Sequence, residues 1–274
     1  TVERERISMS LLVPTMIYTL LDHPELAKRD LRSLKLLLYG ASPMSPTRLI
    51  EAMELIGPVL SQLYGQTECY PISLLRKSDH AVDHPELFAS CGAPVSSTQV
   101  ALLDSNDQPV PAGEPGEICV RAPHAMEAYW RKDDLTRDTL RNGWVHTGDI
   151  ARFDNQGHLY IIDRKKDMIV TGGFNVFPRE IEDVLTSDSA VAMAAVIGIP
   201  DPHWGESVLA VIVPKPGMQI DPDHLKHLVK EQKGAQHAPK KIVVSSELPL
   251  TALGKVDKRA LREPYWGQTD RQVA

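Results

Sequence analysis

Leu34-Lys35-Leu36-Leu37-Leu38-Tyr39-Gly40-Ala41-Ser42-Pro43-Met44-Ser45-Pro46 opens the stretch that decides the fold. Val59-Leu60-Ser61-Gln62-Leu63-Tyr64-Gly65-Gln66-Thr67-Glu68 closes it. Leu34 to Tyr39 is a short, nearly continuous apolar run, the pattern of a strand buried on both faces of a parallel sheet. It stops at Gly40. Ser45 is placed to cap a helix with Pro46 in its first turn, and the pattern carries that helix to about Gly57. Val59 to Tyr64 is a second short strand, stopped at Gly65. Strand, helix and strand make a βαβ unit, which places both glycine-terminated strand ends at one edge of the sheet.

From about residue 90 the texture changes. Gln99 to Leu103, Glu117 to Arg121, Val145 to Phe153 and His158 to Ile162 are short alternating segments. Turn clusters such as Asn106-Asp107, Pro111-Ala112-Gly113 and Asp154-Asn155-Gln156-Gly157 separate them. This predicts an antiparallel β region whose last turn closes a hairpin. After Arg164, helices at about 178–187, 222–232 and 257–262 alternate with strands at about 190–199, 207–213 and 241–245. Asp221 or a neighbour caps the middle helix, with Pro222 in its first turn. These elements make an α/β domain of roughly 110 residues, within the usual range. The charged run Asp163-Arg164-Lys165-Lys166-Asp167 divides it from what precedes.

The 274 residues suffice for two domains, and 42% hydrophobic with 24% charged residues describes a globular chain. A formal net charge of -6 and 5% aromatic residues argue against a nucleic-acid partner. Cys69, Cys91 and Cys119 are dispersed and odd in number, which fits a reducing cytoplasm better than a disulfide framework. No apolar run approaches the ~20 residues of a membrane span. The chain opens on Thr1 and runs through Glu3-Arg4-Glu5-Arg6 straight into Leu11-Leu12-Val13-Pro14, as a fragment or a processed terminus would.

Four polar segments are candidates for chemistry. Tyr64-Gly65-Gln66-Thr67-Glu68 follows a buried strand and offers a hydroxyl and a carboxylate suited to Mg²⁺ and phosphate; on spacing alone an ordinary polar loop is the favoured reading. Gly143-Trp144-Val145-His146-Thr147-Gly148-Asp149 ends on a carboxylate placed to accept from a ribose diol or to cap a turn. Thr171-Gly172-Gly173-Phe174-Asn175 reads as a turn with exposed amides, or a plain loop. Thr251-Ala252-Leu253-Gly254-Lys255-Val256 lacks the upstream glycine and the Ser/Thr of a phosphate loop, so that motif is rejected. Its lysine is either a mobile point charge for phosphate oxygens or a solvated surface charge. None of the ten histidines forms a metal-ligand set along the chain. His224 and His227 read as surface residues, and His80 and His84 receive no role.

In order and spacing these segments resemble the adenylate-forming superfamily of acyl-CoA synthetases, aryl-CoA ligases, luciferases and peptide-synthetase adenylation domains. The resemblance runs from about Leu11 to Arg262. Gly40-Ala41-Ser42-Pro43 looks like the family's adenine-side loop. Tyr64-Gly65-Gln66-Thr67-Glu68 matches an aromatic-Gly-x-Thr-Glu motif, which implies that Thr67 contacts the AMP phosphate and Glu68 holds Mg²⁺. Gly116-Glu117-Ile118-Cys119-Val120-Arg121 matches a structural motif. The resemblance gives Asp149 the ribose carboxylate, Arg164 a ribose or phosphate contact and Lys166 the hinge between a large and a small domain. Gly172, Gly173 and Phe174 resemble the segment facing CoA. Pro249-Leu250-Thr251-Ala252-Leu253-Gly254-Lys255 matches the motif of the adenylation lysine.

The expected fold is therefore α/β. Residues 1–165 would be the C-terminal part of an AMP-binding large domain, the βαβ segment plus the antiparallel region. Residues 166–274 would be a mobile C-terminal lid. The implied activity is an AMP-forming acid–CoA ligase using ATP, Mg²⁺ and CoA on a fatty or aryl acid. A luciferase-like or carrier-loading adenylase and a non-catalytic nucleotide-binding remnant are the alternatives. The family's phosphate loop and acyl-site histidine belong upstream of Leu11, so the chain alone is expected to be inactive. No carrier domain follows Lys255, which favours a CoA ligase. Some relatives carry a lysine where Val170 stands, so contacts there need not transfer. The acyl pocket draws on Tyr39 to Ala41 and Tyr64 to Pro71. Neither the acid nor the oligomeric state is legible.

Overall fold

A computed structural model of the protein describes residues 1–42, 44–251 and 255–267. Pro43, the Ala252-Leu253-Gly254 part of the lysine segment and residues 268–274 lie outside them. The chain divides into two compact units, Thr1–Ile161 and Ile162–Ala274, so the charged run 163–167 belongs to the second.

The first unit opens with helix α1 (Val2–Glu5), strand β1 (Met9–Leu12) and helix α2 (Pro14–Leu21). Strand β2 (Leu36–Gly40), helix α3 (Pro46–Leu55) and strand β3 (Leu60–Gln66) form the expected βαβ unit, with β1, β2 and β3 parallel neighbours. Ser45 caps α3 as its residue type dictates: its Oγ accepts the Arg48 N–H at 3.3 Å, and Pro46 occupies the first turn. Ile17, Leu21, Leu49 and Ala52 of α2 and α3 pack on Leu37, Tyr39 and Leu60. The run in β2 predicts burial on both faces, whereas β2 alternates. Leu37 and Tyr39 enter this core, Leu36 and Leu38 are half-buried, and their register neighbours Met9 and Leu11 are exposed.

The sheet continues antiparallel through β4 (Cys69–Leu75) and β5 (Ala93–Pro94), two strands the sequence does not announce. The segment Tyr64–Glu68 is accordingly not a loop after a strand. Tyr64, Gly65 and Gln66 complete β3, and Thr67-Glu68 is the turn into β4, with Gln66 paired to Cys69.

A second sheet holds β6 (Gln99–Leu103), β7 (Gly116–Arg121), β8 (Leu140–Arg141), β9 (Trp144–Phe153) and β10 (Leu159–Arg164), in the order β10-β9-β7-β6 with β8 on β9. Helix α4 (Asp133–Thr139) precedes β8. These are the alternating segments of the sequence, and Asp154 N donates to His158 O at 3.0 Å in the turn between β9 and β10. Ile72, Ile118, Val120 and Leu159 fill the core here, beside Cys69 and Cys91. All three cysteines are buried.

The second unit is one sheet of β11 (Ile169–Thr171), β12 (Phe174–Val176), β13 (Val191–Asp201), β14 (Gly205–Pro214) and β15 (Lys241–Val244), with helices α5 (Pro178–Thr186), α6 (Pro222–Lys233) and α7 (Lys258–Trp266). Alternation along β13 and β14 splits the core. Val196, Val208, Ala210 and Ile212 meet Ile181, Leu185, Leu225 and Val229 of α5 and α6. Ala195, Ile197, Leu209 and Val211 join Leu248, with Leu261 and Tyr265 of α7 against them. Asp221 caps α6, its Oδ1 accepting from Asp223 N at 3.0 Å and His224 N at 3.2 Å. Helix α7 outruns its predicted end at 262. It passes Pro264, and Trp266 Nε1 donates to Gly198 O at 2.9 Å. Among the described residues no helix is long and apolar enough to cross a membrane.

Candidate functional site

In the first unit the two polar segments converge. Tyr64, late in β3, donates from its hydroxyl to Asp149 Oδ2 at 2.8 Å. Burial, reinforced by the Asp149 carboxylate, pushes the Tyr64 hydroxyl well above its ordinary pKa, so it stays a donor. Gly40 ends β2 beside them, and an added Cβ there would lie 2.3 Å from Leu63 O. The close approach of β2 and β3 therefore requires glycine. Ala41 follows in the left-handed region at φ 66.

Asp149 owes its position to a break in the β7–β9 ladder. Glu117 pairs with Ile150 and Cys119 with His146, so Thr147, Gly148 and Asp149 stand opposite Ile118 alone. Thr147 Oγ1 donates to Ile118 O at 2.8 Å and accepts from Asp149 N at 3.1 Å. Gly148, at φ 71, donates its N–H to Glu117 Oε1 at 3.0 Å. Asp149 is 5% exposed as a residue and held at backbone and side chain alike.

Thr67 is exposed and Glu68 half-buried at the β3–β4 turn. The Tyr129 hydroxyl donates to the Glu68 carboxylate, and Met126 N donates to Glu68 O at 2.7 Å.

The remaining predicted residues belong to the second unit. Arg164 is exposed at the end of β10, next to buried Asp163. Asp163 accepts from Arg164 N at 2.7 Å and Arg179 N at 2.8 Å. Burial outweighs these amides and Lys258 and lifts its carboxyl to about 6. Lys166 is exposed in a single 3-10 turn, Lys165–Asp167, whose Asp167 pairs with Arg262 of α7. Gly172 and Gly173 are the two-residue turn between β11 and β12, both with positive φ (56 and 82), as such hairpins demand. Gly172 N donates to Trp204 O at 2.9 Å, and Phe174 stands exposed. Lys255 is exposed. Its N–H donates to Thr251 Oγ1 at 3.2 Å, and its carbonyl accepts from Thr251 N at 2.7 Å.

Sequence reasoning missed two arrangements. His80 is a core residue, 4% exposed, with Nε2 2.9 Å from the Tyr39 hydroxyl. His146, for its part, does join a potential ligand set: its ligand atom and those of Glu117 and Cys119 lie within 4.8 Å of one another. The i, i+2 spacing of Glu117 and Cys119 on one strand face was the available signal. Glu117 already accepts from Gly148 N and lies 3.8 Å from the Arg141 guanidinium. His224 and His227 are exposed and paired with Asp188 and Glu231, as surface residues should be.

The AMP-binding enzyme family model matches residues 1–130, and the model for the C-terminal domain of AMP-binding enzymes matches 180–255. A medium/long-chain-fatty-acid–CoA ligase, FadD8 of Mycobacterium tuberculosis, is 48% identical over 99% of this chain and 48% of its own length. A feruloyl-CoA synthase of Amycolatopsis is 39% identical over 96% of this chain and 53% of its own. Among solved structures, the amide bond synthetase McbA of Marinactinospora thermotolerans superposes with a TM-score of 0.89 at 39% identity. That likeness covers 96% of this chain and 54% of McbA. The chain spans about half the length of the relatives it matches. With one model matching within the first unit and the other within the second, the chain belongs to the adenylate-forming superfamily.

Proposed function

We propose that this chain forms the nucleotide-holding and lysine-bearing part of an ATP-dependent, AMP-forming acid–CoA ligase. The observation that carries the reading is the Asp149 carboxylate, fixed by Tyr64 of β3 in a ladder break, with β3 paired to the glycine-ended strand β2 of a family member. In this reading a substrate carboxylate attacks the α-phosphorus of ATP, giving acyl-AMP and pyrophosphate. The CoA thiol then attacks the acyl carbonyl and AMP leaves.

Gly40, Ala41 and Ser42 line the adenine side, with Tyr64, Gly65 and Gln66 next to them. Asp149 and Arg164 take the ribose, and Thr67 takes the phosphate. Lys255 bridges the attacking carboxylate and the α-phosphate as negative charge builds. Lys166 is the hinge, and Gly172, Gly173 and Phe174 face CoA. The β3–β4 turn fits Mg²⁺: half-buried Glu68 offers hard carboxylate oxygens, leaving other positions to water and phosphate. Bound there, the ion would neutralise phosphate charge.

The substrate is a fatty or aryl carboxylic acid, the range that the names of the fatty-acid and feruloyl relatives span. The test uses the complete enzyme carrying this chain, a panel of acids, ATP and Mg²⁺, with CoA present and absent. Acid-dependent AMP and thioester are expected. AMP without thioester would move the reading to a carrier-loading or amide-forming enzyme, as the likeness to McbA allows. No AMP with any acid would favour the non-catalytic remnant. The 274-residue chain alone is expected to give no acid-dependent ATP–pyrophosphate exchange.

A further inference from the structure

We propose that Glu117 is a positioning residue for Asp149, orienting its carboxylate toward a ribose diol; the proposal rests on the nucleotide reading above. Where Thr147–Asp149 leave the ladder, their backbone groups need new partners. The Thr147 hydroxyl accepts the Asp149 N–H and donates across to Ile118 O. The Gly148 N–H is satisfied from the neighbouring strand, by Glu117 Oε1 at 3.0 Å. Gly148 sets the direction in which Asp149 leaves the strand. Its φ of 71 is a conformation that L side chains rarely adopt, and an added Cβ would meet nothing within 4 Å. Backbone geometry, not space, requires glycine here.

Glu117 is only 6% exposed, and a buried carboxylate is retained only where it is paired. Its second oxygen, Oε2, lies 3.8 Å from the Arg141 guanidinium and 3.4 Å from His146 Nδ1. Arg141 is anchored in turn on Asp107 at 3.2 Å. The Gly148 N–H thus meets a carboxyl oxygen of a side chain whose other oxygen faces Arg141 and His146, so its orientation is fixed from behind. Asp149 is held at the carboxylate by Tyr64, at its own amide by Thr147 and at the preceding amide by Glu117.

The test uses the complete enzyme carrying this chain and calorimetric titration with AMP and with 2′,3′-dideoxy-AMP, which lacks the diol. Glu117→Asp keeps the charge but shortens the reach; Glu117→Gln keeps the reach and an accepting oxygen. Wild type should prefer AMP. Glu117→Asp should lose roughly ten- to a hundredfold in AMP affinity with little change for the dideoxy compound. Glu117→Gln should retain most of the preference. In amide spectra the Gly148 N–H should move upfield in Glu117→Asp and much less in Glu117→Gln.

An unchanged preference in Glu117→Asp, or equal weakening of both nucleotides, overturns the positioning role. An Asp149→Ala variant separates the two levels. If it too leaves the preference intact, or if wild type binds neither nucleotide, the ribose reading itself falls and takes the proposal with it.

Discussion

The Asp149 corner of the first unit and the Lys255 loop of the second are built on opposite plans. Asp149 is 5% exposed and fixed at side chain and backbone. Lys255 is exposed, and the bonds recorded for its backbone go to Thr251, four residues away. A group that holds a ligand through both half-reactions gains from being rigid before binding. A group needed in one half-reaction gains from an exposed, locally tethered mount on a separate body. On the proposed function, the difference between the corners divides holding from acting.

The sharpest way to break that division is Lys255→Ala in the complete enzyme. Adenylation should fall by ~10²–10³, the loss typical of one stabilising donor, while thioester formation from preformed acyl-AMP stays near wild type. Equal loss in both would place Lys255 among the holding residues. Lys166→Pro, which fixes φ near -65°, comes next. Thioester formation should slow on the order of ten- to a hundredfold with pyrophosphate exchange intact, and unchanged turnover would remove the hinge.

Asp163 tests the second unit by pH. Its folded pKa, about 6, lies above the ordinary 3.8, so its protonated form favours the fold. That contribution is complete below about 3.8 and is lost as pH rises through about 6. Denaturant unfolding should show wild type losing roughly 2 kcal/mol relative to Asp163→Asn between pH 4 and 7. Parallel profiles would mean that Asp163 titrates normally. The smallest effect belongs to Gly172→Ala. Its Cβ would meet the Trp204 ring at 2.6 Å at a positive φ, a cost of roughly 1–2 kcal/mol in the melting of the second unit. The first unit should melt unchanged.

What the sequence made legible was whatever local chemistry decides. Ser45-Pro46 specifies the start of α3 by capping and a preset φ, and Asp221-Pro222 does the same for α6. β4 escaped because its place is set by pairing with β3, and Pro71 within it speaks against a strand read alone. α7 outran its predicted end because Trp266 finds an acceptor 68 residues away. At the candidate site Asp149 was visible as a residue, yet its orientation was not. The ladder break and the Glu117 bond join positions 31 apart. Lys255 was one surface lysine among many until the order of the motifs singled it out.

The cysteines carry a consequence of a different kind. All three lie in the first unit, and burial pushes the Cys91 thiol up to about 12, so little thiolate forms near neutrality. Alkylating reagents should therefore wait for the first unit to open, and the labelling rate becomes a clock for that event alone. The second unit contributes no thiol to the signal. A single cysteine placed on its surface would carry a dye without touching the clock, so the two units can be followed separately in the same molecule.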